Sequence, residues 1–171
     1  KGFGDPVLAT APCSSRCLAW RGTTRGRLAG TLRQYGVRRV RGAIVADESY
    51  FDGRRTGRGW TSSYTLYASP LSALTVNQSF AGDGRSGYVA SPPLAAAERL
   101  RASLRRVGVR QAGGLRTGVA PVGAALLAST TSPPLPAILR LMNVDSDNFV
   151  AETLAKGVGA SGGAGTTAAG T

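Results

Sequence analysis

The sequence predicts an α/β fold, on three observations. A helix stopped by glycine and followed at once by a strand occurs twice, as Leu32-Arg-x-x-Gly36-Val37-Arg38 and again as Leu104-Arg-x-x-Gly108-Val109-Arg110, with Gly42 and Gly114 after them. A pair of amphipathic helices joined by a polar corner closes the chain. No run of 18 or more apolar residues exists, so no helix is expected to span a membrane. With 42% apolar residues there is material for a core, although much of it is alanine, and 24 glycines forecast long connections.

In chain order, Gly4-Asp5-Pro6 reads as a turn after a strand end. A helix is expected over 24–35, with Leu28, Leu32 and Tyr35 on one face and Gly36 as its stop. Residues 40–47 read as a strand and 52–60 as a basic, glycine-rich loop. Residues 64–77 alternate between turn and strand character, and 81–87 form a surface turn. Pro92-Pro93 opens the best helix, with Leu94, Ala97, Leu100, Leu104 and Val107 at steps of three and four until Gly108. Residues 109–117 and 126–129 are strand candidates. The echoed junctions predict two αβ units with their helices packed on one sheet.

The last pair of helices holds the candidate chemistry. Leu135, Ile138, Leu139 and Met142 make an apolar stripe on a helix opened by prolines. A break over 143–148 follows, rich in residues that favour turns and caps. A second helix runs over about 149–156, with Glu152 four residues before Lys156 and Gly157 as its end; beyond Gly157 a loop is expected. The corner presents Ser146, Asp147 and Asn148, a hydroxyl and a carboxamide side by side that secondary structure does not consume.

The charge of +12 comes from 21 basic and 9 acidic residues, and only Lys1 and Lys156 are lysines. The arginines are scattered and RNA-reading aromatic motifs are missing, so the excess reads as an arginine-biased solvated surface, with no nucleic-acid partner expected. The competing reading is a non-catalytic basic module that binds anionic wall polymers or nucleic acid. The absence of histidine excludes a Ser-His-Asp triad and most zinc sites within these residues, and no metal or cofactor is expected. Cys13 and Cys17 fit a local disulfide of an exported protein, with two reduced thiols as the alternative. Three spellings carry little. Gly82-x-Gly84-x-x-Gly87 lacks a helix after it, Gly159-x-Ser161-x-Gly163 lacks a base and a preceding strand, and Asn77-Gln78-Ser79 reads as a polar turn rather than a glycan acceptor.

Several stretches taken in order resemble one family. They are Gly4-Asp5-Pro6, Gly42-Ala-Ile-Val-Ala-Asp47 running on to Phe51, Trp60, and Tyr67-Ala-Ser-Pro-Leu-Ser-Ala-Leu-Thr-Val-Asn77. The last is Ser132-Pro-Pro-Leu135 through Met142-Asn143 to Ser146-Asp-Asn-Phe-Val-Ala-Glu152. Together they resemble the serine-type D-alanyl-D-alanine carboxypeptidase/endopeptidases, the class C low-molecular-mass penicillin-binding proteins, over almost the whole chain. The arginine, alanine and glycine bias is similar to that of actinobacterial members.

That resemblance implies an extracytoplasmic enzyme acting on peptidoglycan stem peptides that end in D-Ala-D-Ala, and acylated by β-lactams. It implies a transpeptidase domain carrying S-x-x-K, S-x-N and K-T-G, with further domains inserted after the first motif. Ser146 and Asn148 match S-x-N. No serine stands three residues before a lysine, and Lys156 is followed by Gly-Val, so the other two motifs are expected upstream of Lys1 and beyond Thr171. Residues 1–128 are then expected to form the inserted domain and 129–171 part of the transpeptidase domain, a piece that is inactive alone. The long extra domain that some relatives carry between the Asn77 region and the Pro92 helix is replaced by about fifteen residues. Some relatives also place an acidic residue just after the tryptophan to meet a diamino acid in the stem; Thr61-Ser62-Ser63 offers none.

Overall fold

A computed structural model describes residues 24–57, 59–81 and 87–162. The Gly-Asp-Pro turn and both cysteines lie outside the described residues, as do most of the Gly82–Gly87 fingerprint spelling and Gly163.

Helix α1 (Thr24–Gln34) and helix α2 (Pro92–Arg106) each feed a pair of short strands. These are β1 (Arg39–Val40) with β2 (Ile44–Ala46), and β3 (Arg110–Gln111) with β4 (Leu115–Thr117). Strand β1 pairs parallel with β3, and β2 parallel with β4, in one continuous register. The two helix ends are built alike. Gly36 (φ 87°) and Gly108 (φ 76°) adopt the left-handed conformation that glycine enters without a Cβ clash. Gly36 N–H donates to Arg33 O and Val37 N–H to Leu32 O, while Gly108 N–H donates to Arg105 O and Val109 N–H to Leu104 O. This is the same double-bonded helix stop twice over. It turns both chains back across their own last turn, so Val37 and Val109 enter the core together. Ala29, Leu104 and Val109 form its buried centre, with Leu32, Val40, Ile44 and Leu100 packed around them. The Arg33 Nε donates to Val107 O at 3.1 Å and ties the two junctions.

The expected architecture of two αβ units is therefore present, with local departures. Each expected strand is interrupted, over 41–43 in the first and 112–114 in the second. A Cβ at Gly113 would sit within 3 Å of the Gly42 carbonyl and the Ala43 nitrogen, so the backbones touch there and the ladder breaks. The Gln111 side-chain amide fills the gap by donating to Gly113 O. Residues 126–129 form no strand. Leu126 and Leu127 are 82% and 60% exposed, and an apolar run without a partner strand gains nothing from extended pairing. Tyr35 is 76% exposed rather than on the core face, because α1 ends at Gln34 and Tyr35 lies in the turn beyond it. Residues 64–77 hold no strand. Short 3₁₀ turns at Ser62–Leu66 and Asn77–Ser79 flank this stretch, and Phe80 and Tyr88 form an isolated antiparallel bridge.

Helix α3 (Leu135–Asp145) and helix α4 (Asn148–Ser161) follow. Both are longer than their sequence cues. The corner narrows to Ser146-Asp147, and α4 runs through Gly157 because Gly157 and Gly159 are buried against the rest of the fold. Packing outweighs the roughly 1 kcal/mol that a helical glycine costs. Only half of the α3 stripe is covered. Ile138 is buried and Met142 packs behind it, while Leu135 and Leu139 remain 51% and 38% exposed. Ile138 joins Leu71, Phe149 and Val150 in a second core, onto which Trp60 and Leu154 pack. Among the described residues no helix is long and apolar enough to cross a membrane.

Candidate active site

The corner between α3 and α4 is built by two caps back to back. Ser146 adopts the left-handed conformation (φ 51°, ψ 45°), and the N–H groups of Ser146 and Asp147 both donate to Met142 O. Asp147 then caps α4, its Oδ1 accepting from Val150 N at 3.0 Å. Its other oxygen accepts from Gln78 Nε2 at 2.6 Å. The Asp147 carboxylate is thus occupied on both sides. Ser146 is exposed, and Asn148 stands half-buried as the first residue of α4. Among the described residues neither the Ser146 hydroxyl nor the Asn148 carboxamide has a hydrogen-bond partner. The middle residue of the triplet supplies structure, and the flanking two keep their polar groups unspent.

Gln78 reaches the corner from a strained turn. Asn77, Gln78 and Ser79 have φ of 57°, 48° and 60°. With Ser146 these are the four non-glycine residues of positive φ among the described residues, and all four meet here. A left-handed L-residue costs roughly 1–2 kcal/mol, so the run persists only because its surroundings fix it. The Ser79 hydroxyl donates to Pro70 O at 2.8 Å and accepts from Thr75 Oγ1 at 2.8 Å. Phe80 N donates to Asn77 O, and Val89 N to Ser79 O. Asn77 is 4% exposed, which closes the glycan spelling to any transferase.

Behind the corner, a loop is clamped to α4. Lys156 is 1% exposed and pairs with Asp52, with its ammonium 5.8 Å from the centre of the Phe51 ring. The expected surface pair with Glu152 is replaced by this buried one, because α4 turns Lys156 toward the 51–52 loop and not to solvent. Thr153 stands three residues before Lys156, yet its hydroxyl donates to Phe149 O at 2.7 Å, so this Thr-x-x-Lys spacing holds no free nucleophile. The same loop carries a bidentate pair. Arg55 donates to both Glu48 oxygens, at 2.5 and 2.6 Å, and to Leu71 O at 3.1 Å, while Ser72 Oγ donates to Glu48 at 2.6 Å. Burial pushes the Glu48 carboxyl up, but the bonds from Arg55 and Ser72 override it and hold it below its ordinary value. Ser161 caps its own helix through Gly157 O and is no nucleophile elbow.

Residues 1–89 and 81–171 match the family described as D-Ala-D-Ala carboxypeptidase 3 (S13). The chain belongs to that family. The S13 peptidases are serine-type D-Ala-D-Ala carboxypeptidases, so the parent protein is an enzyme of the cell wall whose substrate is a peptidoglycan peptide. The two matched segments overlap at residues 81–89. No curated protein matches the chain. The roles of Gln78, which holds the corner, and of Lys156, which clamps the loop behind it, escaped the sequence reading. Each acts across more than sixty positions on a partner that no local pattern names.

Proposed function

We propose that the Ser146–Asn148 corner is the S-x-N element of a penicillin-binding D-Ala-D-Ala carboxypeptidase/endopeptidase, acting outside the cytoplasm through an acyl-enzyme. The supporting observation is the pair of unspent polar groups on a corner whose middle residue is fully bonded. In the reaction, the nucleophilic serine of S-x-x-K attacks the carbonyl carbon of the penultimate D-Ala. The C–N bond breaks, and the terminal D-Ala amine leaves with a proton relayed through the Ser146 hydroxyl from the catalytic lysine. Asn148 donates its carboxamide N–H to a backbone carbonyl of the stem and orients it. Water then hydrolyses the ester, and a β-lactam blocks the same serine.

The 171 residues hold neither S-x-x-K nor K-T-G. Residues 1–128 serve as the inserted domain and 129–171 as part of the catalytic one, with Leu71 and Trp60 against Ile138 and Phe149 as their seam. A fluorescent penicillin labels the full-length gene product and leaves this chain unlabelled. In the full-length protein, Ser146→Ala and Asn148→Ala each lower the acylation rate by roughly 10²-fold, with the thermal midpoint unchanged. An unlabelled full-length protein, or full-rate acylation in both variants, refutes the assignment.

A further inference from the structure

Where the end of α2 meets β1 and β3, an open cleft of about 430 Å³ is lined by Arg39, Arg105 and Arg110 around Gly108 and Gln111, none of them a residue of the Ser146 corner. Arg39 and Arg110 are register partners on adjacent parallel strands, so their side chains leave the same face as immediate neighbours. Arg105 joins them from the last turn of α2. Beside Gly108, Arg33 bonds Val107 O through Nε, while its Nη1 is buried and has no partner among the described residues.

Like charges placed side by side across a sheet destabilise it unless a counter-charge answers them. No carboxylate lines the cleft. The described carboxylates with assigned partners are committed elsewhere: Asp47 to Ser49 and Ala120, Glu48 to Arg55, Asp52 to Lys156, Asp147 to Gln78. The chain is arginine-rich throughout, but here three guanidinium groups share one cleft whose lining holds no acid. The planar guanidinium fork matches the oxygens of a phosphate and binds them in pairs.

We infer that this cleft binds the phosphodiester backbone of an anionic wall polymer, holding the enzyme beside its peptide substrate. A nucleic acid is the weaker fit, because no aromatic side chain lines the cleft to stack a base. The site is separate from the acyl-enzyme chemistry, and its failure leaves penicillin labelling intact.

The test is fluorescence anisotropy of the 171-residue chain with a labelled glycerol-phosphate oligomer, at 50 and 200 mM salt. Binding is expected to weaken with salt at a log–log slope near −2, for about three contacts to a flexible polyanion. Arg110→Gln and Arg105→Gln each weaken it roughly fivefold to tenfold and make the slope shallower by about 0.7. Arg101→Gln, elsewhere on α2, changes it less than about twofold. Without ligand, Arg110→Gln melts at the same temperature or higher, since it relieves the repulsion with Arg39. The inference is overturned if no binding appears at 50 mM salt or if Arg101→Gln weakens binding as much as the cleft variants do. It is equally overturned if both cleft variants bind normally, if Arg110→Gln melts lower, or if an oligonucleotide of equal charge binds more than tenfold tighter.

Discussion

The bond between Gln78 and Asp147 should be worth a measurable share of stability, and its removal should loosen the Ser146 corner. Gln78→Leu keeps nearly the same volume and removes only the donor. The lost bond is 2.6 Å long and ends on a carboxylate. Hydrogen bonds to charged groups contribute about 1.5–3 kcal/mol, and since both partners are half-buried the lower end applies, near 1.5 kcal/mol. The left-handed strain at Gln78 is unchanged by leucine, so the bond alone is read. Gln78→Gly loses the same bond but relieves about 1 kcal/mol of strain, and should cost only about 0.5 kcal/mol. Urea unfolding of the chain and both variants measures the difference, and a double-mutant cycle with Asp147→Asn isolates the coupling. In the full-length protein, Gln78→Leu should slow penicillin acylation without abolishing it. A cost under about 0.3 kcal/mol for Gln78→Leu, or equal costs for leucine and glycine, refutes the reasoning.

The other predictions are read from stability. Lys156→Met leaves the half-buried Asp52 carboxylate without its partner and should destabilise by about 1.5–3 kcal/mol, whereas Lys156→Met with Asp52→Leu should recover most of the loss, both by urea unfolding. Gly113→Ala forces a Cβ into the Gly42 backbone and should cost more than about 2 kcal/mol, while Gly114→Ala, with open space around it, should cost under about 1 kcal/mol. Glu48 is held below its ordinary 4.5 when folded, so its stabilising effect is complete above that value and is lost as pH falls through the folded one. Thermal melts between pH 6 and about pH 3 should therefore show a fall that Glu48→Gln makes shallower.

What the sequence made legible is what short stretches of chain decide by themselves. The two helix stops at Gly36 and Gly108 were readable because a left-handed cap is a local event, and the echo implied that their strands would lie side by side. The proline-opened helices α2 and α3, and the corner between α3 and α4, were readable for the same reason. Long-range contacts set the rest. Strand continuity failed where Gly113 meets Gly42, a crowding between segments far apart in sequence. Gly157 did not stop α4 because the helix is buried there, and burial outweighs the cost of a helical glycine. Lys156 looked like a surface residue paired with Glu152, and only the loop at Phe51-Asp52 made it a buried anchor. The family resemblance drew on spaced stretches across the whole chain, which is why it reached further than any periodicity.

The corner also accounts for the identity of its middle residue without any appeal to catalysis. Two donors converge on that side chain, a backbone N–H at the start of α4 and the amide of Gln78, so the position calls for a group with two acceptor oxygens. An asparagine there keeps the cap but has one oxygen for two donors; a serine keeps the cap and loses the reach. Aspartate satisfies both, and it also places a negative charge at the N-terminal end of α4, where the helix dipole favours it. Ser146 and Asn148 are then held from between rather than through their own side chains. The proposed relay hydroxyl and substrate-binding amide gain from that arrangement, because a polar group already bonded within a cap must break that bond before it serves a substrate.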